Sequence, residues 1–68
     1  MTTSLPISEA RMGDVVRFKS FALRIEREPV VSKGRVHLYG RISIDGCPTV
    51  TRSYLADTIV KIERFIGG

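Results

Sequence analysis

Arg35-Val36-His37-Leu38-Tyr39-Gly40-Arg41-Ile42-Ser43-Ile44 alternates in polarity from end to end. Val36, Leu38, Ile42 and Ile44 fall on one side, and Arg35, His37, Tyr39, Arg41 and Ser43 on the other. Successive side chains of an extended chain point to opposite faces, so this period of two predicts a strand with one face buried and one face wet. Gly40 sits on the apolar side. A missing side chain there permits a sharp bend or the close approach of another backbone.

Extended signals continue in both directions. Downstream, Asp45-Gly46 predicts a hairpin with a type I′ turn, whose two central residues both need positive φ. Thr49 to Tyr54 then returns antiparallel, Leu55 to Thr58 suits one 3₁₀ turn, Ile59 to Phe65 is a last strand, and Gly67-Gly68 is a frayed end. Upstream, Ser32-Lys33-Gly34 is a turn signal. Ser20 to Val31 is a second extended run, with Phe21, Leu23 and Ile25 on one side, and Pro29 marks its end or edge. Asp14 to Lys19 is a first strand with Val16 and Phe18 inward. Ser8 as N-cap and Gly13 as stop frame one short helical turn, preceded by a polar arm. The expected organisation is a flexible arm over residues 1–12, with that helical turn, and a β domain over residues 13–66. Met12, ahead of Gly-Asp-Val-Val, is a second candidate start beside Met1.

The expected fold is thus all-β: five short antiparallel strands, an N-terminal helical turn, and a 3₁₀ turn before the last strand. Three segments resemble the SH3-like barrel, including its tudor and KOW variants. They are Gly13-Asp14-Val15-Val16-Arg17-Phe18, the Asp45-Gly46 hairpin, and Tyr54-Leu55-Ala56-Asp57-Thr58-Ile59-Val60. The resemblance spans residues 13 to 65. It implies a small barrel, and domains of this kind bind peptides, RNA, DNA, modified residues or other subunits, so fold alone does not select a function. The peptide-binding version lines its proline groove with clustered Trp and Tyr. This chain has no Trp and only Tyr39 and Tyr54, which argues against that groove and against a methyl-lysine cage.

Bulk composition narrows the classes. Sixty-eight residues make one domain at most. Eleven Lys and Arg against seven Asp and Glu give a formal charge of +4, which favours anionic partners: nucleic acid, or an acidic protein surface. Arg outnumbers Lys, and its guanidinium suits phosphate and carboxylate, although a GC-rich genome also favours Arg codons. A single cysteine, Cys47, permits no internal disulfide and fits a reducing compartment, the bacterial cytoplasm. The first residues lack the basic and apolar regions of a secretory signal, and no apolar run reaches the roughly 18 residues of a membrane span.

Arg35, His37, Tyr39 and Arg41 share one strand face, with Arg17, Arg24 and Arg52 expected to reach it from neighbouring strands. Guanidiniums neutralise phosphates and a tyrosine ring stacks on a base, so these seven residues form a candidate nucleic-acid surface. An outward face must be polar in any case, and Arg is ordinary there. Ile59 and Phe65 lie on one side of the last strand and form a candidate protein-interaction or self-association surface, unless both close a barrel end. His37 and Cys47 are too few for a structural metal site, which takes four ligands; they read as a surface histidine and a small buried thiol at a strand start. No cofactor is expected. Ser43 and His37 lie about 20 Å apart along one strand and cannot act together there. The expectation is a non-enzymatic binding or adaptor module contacting nucleic acid. The alternatives are a protein-interaction module or homodimer, and an accessory subunit of a larger enzyme.

Overall fold

The computed structural model describes residues 2–64. Seven strands follow in order: β1 (Thr2–Pro6), β2 (Val15–Arg17), β3 (Ala22–Ile25), β4 (Val30–Ser32), β5 (Arg35–Ile42), β6 (Thr49–Leu55) and β7 (Ile59–Glu63). All pairings are antiparallel. One curled, half-barrel sheet results, in the order β1-β7-β2-β3-β5-β4, with β6 on the other edge of β5.

The strand read from period-two polarity organises this sheet. Along β5, Val36, Leu38, Gly40 and Ile42 are buried, while Arg35, His37 and Arg41 are exposed and Tyr39 is half-buried. One edge of β5 carries β6 along its length. The other edge is shared, with β3 on its second half and β4 on its first. Gly40 makes this packing fit: a Cβ there would overlap the Arg24 carbonyl on β3. Ile44, expected inward, lies beyond β5 and is exposed.

Seven strands replace the expected five. The run from Ser20 to Val31 breaks into β3 and β4, separated by the exposed Glu26-Arg27-Glu28 and by Pro29. The expected arm contains β1, which pairs with β7 from Thr2↔Glu63 to Pro6↔Ile59. Edge strands need no alternating apolar pattern when one face stays wet, so Thr2, Thr3 and Ser4 gave no extended signal. The helical turn is shorter and earlier than expected: a 3₁₀ turn at Ile7–Glu9, with no side-chain cap. Its Ile7 amide donates to the Thr58 carbonyl at 2.7 Å, and Ile7 itself is 0% exposed. Before β7, Leu55 to Thr58 forms a single turn closed by the Thr58 amide on the Leu55 carbonyl at 3.0 Å.

The two hairpins exchange their expected turn chemistry. Ser32 pairs with Arg35 across a two-residue loop, and Lys33 and Gly34 both have positive φ (53° and 74°), as a type I′ turn demands. Between β5 and β6 the last pair is Arg41↔Thr49, and six residues, Ser43 to Pro48, separate the end of β5 at Ile42 from the start of β6. There the Cys47 amide donates to the Ile44 carbonyl at 2.8 Å, and positive φ falls on Gly46 and Cys47, not on Asp45.

The core is aliphatic. Ile7, Val16, Leu23, Ile25, Val36, Leu38, Ile42 and Ile62 fill it, joined by Ala10 and Val60. Phe18, expected inward, and Phe21, on the side of Leu23 and Ile25, are only half-buried, at its margin with Tyr54.

Candidate functional site

Register places the basic residues. Residues directly opposite in an antiparallel ladder share a face. Arg41 on β5 faces Arg24 on β3, and Arg24 faces Val15 on β2. One step along, Arg17 on β2 faces Lys61 on β7. Arg35, His37 and Tyr39 continue the same outer face along β5. The sheet therefore places six of the seven candidate residues on one outer face: Arg17, Arg24 and Arg41 on neighbouring strands, with Tyr39, His37 and Arg35 progressively farther along β5.

Arg52 is the exception. The expected two-residue hairpin at Asp45-Gly46 would set Arg52 opposite Tyr39, on the outer face. The observed register is one residue different: Arg52 opposes Leu38, and Thr51 opposes Tyr39. A one-residue slip turns every side chain of a strand over. Here it turns Val50 and Tyr54 toward the core and leaves Thr51 and Ser53 outside, so burial of apolar groups prevails over local turn preference. Arg52 falls on the same side of the pleat as Val50 and Tyr54 but stays exposed, its guanidinium carbon 5.9 Å from the Phe21 ring centroid.

Two outer-face residues were missed in the sequence. Lys61 stands opposite Arg17, as the alternation of Ile59, Lys61 and Glu63 would have revealed once β7 was set beside β2. Arg27 lies with its guanidinium 4.5 Å from the Tyr39 centroid. That cation–π contact covers the ring offered above for base stacking, so Tyr39 here serves to hold a cation in place.

Some of these charges are already met. Arg17 binds Glu63 at 3.1 Å, and Arg41 lies 3.6 Å from Glu26 while donating to the Cys47 carbonyl at 3.2 Å. Arg24, Arg35 and Lys61 have no carboxylate partner among the described residues. Arg24 and Arg41 line a shallow depression of about 250 Å³ together with Val15, Ala22 and Cys47. Cys47 is exposed in the β5–β6 loop, contrary to the expected buried thiol, because the longer loop keeps it out of the ladder. Ser43 supports the sheet: its Oγ accepts the Ala22 amide at 2.8 Å, prolonging the β3–β5 contact.

Of the candidate interaction pair, Ile59 is 63% exposed, opposite Pro6 on the edge strand. Phe65 lies outside the described residues. No helix among the described residues is long and apolar enough to cross a membrane.

An aromatic column stands at the end of the sheet. Phe18 stacks between Phe21 (4.8 Å, 26° between planes) and Tyr54 (5.1 Å, 23°). Burial pushes the Tyr54 phenol above its ordinary value of 10.0, against the opposing charge of Arg52, so it is uncharged at neutral pH. No protein-family model, curated protein or solved structure matches the chain.

Proposed function

We propose that the protein is a small, cytoplasmic, non-enzymatic binding module, an SH3-like barrel that holds the phosphate backbone of a nucleic acid on its outer sheet face. The observation that carries this reading is the placement of Arg41, Arg24, Arg17 and Lys61 across four neighbouring strands by register alone. Cations fixed on a rigid sheet lose little freedom on meeting phosphates, and each phosphate neutralised releases condensed counterions. Two carboxylates, Glu26 and Glu63, sit among these cations and hold Arg41 and Arg17 in place without cancelling the surplus. The SH3-like assignment is supported by the residues quoted above and by the curled antiparallel sheet.

The test is titration with labelled single-stranded and duplex oligonucleotides at 50 and 200 mM salt. With three or four phosphates engaged, a plot of log K against log salt should slope by about −2 to −4. Replacing Arg24 and Arg41 together by Ala should flatten that slope by about 1 to 2 and weaken all sequences alike. A salt-independent constant, or none at low salt, removes the proposal.

A second reading, self-association or an accessory subunit, draws on Ile59 and on the outer edge of β6, which has no partner strand among the described residues. Light scattering separates the two: a monomer at millimolar concentration dismisses self-association.

A further inference from the structure

The end of the sheet that bears the aromatic column carries a groove of about 730 Å³. Among the described residues three cations line it, Arg17, Lys19 and Lys61, and no carboxylate does. Phe18 and Tyr54 supply its aromatic wall, beside the exposed Ile59. Tyr54 is the end member of the column: Phe18 is its one stacked neighbour among the described residues, and Arg52 stands over Phe21 at the other end. Arg17 and Lys61 belong to both places, since they face each other on β2 and β7 in the outer-face row.

From this arrangement we infer that the groove receives an unpaired nucleobase, with its flanking phosphates held by Lys19 and Lys61. The protein is then a single-strand binder, not a duplex binder. The inference rests on the nucleic-acid reading above and deepens it by naming the form of the ligand. A strand lying along Arg41, Arg24 and Arg17 on the outer face reaches the groove at Arg17 and Lys61, which line both. Every base has a π-face that can extend the column beyond Tyr54, so sequence matters little. A base in a duplex has both faces occupied and would first have to be unstacked and unpaired. The neutral Tyr54 phenol adds no charge to oppose a phosphate.

The experiment compares fluorescein-labelled dT8 with a 12-base-pair duplex at 50 mM salt, for the wild type and for Tyr54→Leu, which keeps apolar bulk and removes the ring. The expected result is at least tenfold tighter binding of dT8, and a loss of about tenfold for dT8 but not for the duplex in Tyr54→Leu. Amide shifts on adding dT8 should centre on Phe18, Lys19, Thr58 and Lys61. Should Tyr54→Leu fail to fold, Lys19→Ala, an exposed change, is expected to weaken dT8 about threefold and spare the duplex. Equal affinity for both oligonucleotides, with either variant indifferent, overturns the groove while leaving the outer-face reading in place. Binding of neither oligonucleotide overturns both. Displacement of dT8 by an octaglutamate peptide at matched charge concentration would show a groove that reads charge alone, and also overturns the inference.

Discussion

Asp14 is held ionised against the cost of its burial. It is 3% exposed, and that desolvation pushes its carboxyl up. The hydrogen bonds from Arg64, at 2.9 and 3.1 Å, and from the Arg11 amide, at 2.9 Å, outweigh this and hold it below its ordinary 3.8, with both guanidinium charges assisting. A carboxyl depressed by folding binds its proton first in the unfolded chain. The stabilisation is therefore complete only above about pH 5, well clear of the unfolded value, and drains away as pH falls through the folded value. Urea midpoints should drop between pH 5 and pH 2.5 in the wild type and vary less in Asp14→Asn. That variant should lose about 1.5–3 kcal/mol at pH 7, the usual worth of hydrogen bonds to a charged group. Gly40 is the second decisive position. Because any Cβ there meets the backbone of β3, not a yielding side chain, Gly40→Ala should cost about 1–3 kcal/mol or more in a thermal or urea melt.

Each strand was legible in proportion to how fully its two faces differ. β5 could be read because four inward positions are buried and its outward ones, the half-buried Tyr39 apart, face water, so polarity tracks the pleat. β1 could not, being a polar edge whose partner lies at the far end of the chain. Turns were legible only where register left them free. Asp45-Gly46 has the stronger turn chemistry, yet the β5–β6 register obeys Val50 and Tyr54 instead, and this is why Arg52 was misplaced among the outer cations. Of the candidate surface, the β5 residues could be read directly, whereas Lys61 and Arg27 became visible only through strand order and a cation–π contact. Lys33 offers a test of the true tight turn. It holds φ of 53°, a conformation that Asn tolerates better than Lys, in front of Gly34. Lys33→Asn should therefore raise stability by about 0.5 kcal/mol, within the range of such turn repairs. A lowered urea midpoint would contradict the type I′ geometry.

At the scale of the whole molecule, an aliphatic core this small leaves little reserve. Ile7 is buried at the junction of the 3₁₀ turn with the β6–β7 turn. Ile7→Ala should cost about 2–5 kcal/mol, enough to leave a domain of this size partly unfolded at room temperature. A chain starting at Met12 would lack Ile7, Ala10 and all of β1, exposing the outer edge of β7. It should show no cooperative melt by circular dichroism, whereas an independent arm could be removed without effect. The pairing of Thr2 with Glu63 joins residues 61 positions apart. At ribosomal rates of about 5–20 residues per second, β1 is synthesised about 3–12 s before its partner. Once it has emerged, and until β7 can pair with it, its backbone is an open template for any passing strand. Thr2, Thr3 and Ser4 give such a visitor no greasy surface to adhere to, so the polarity that concealed β1 from a pattern reader also guards the nascent chain while it waits.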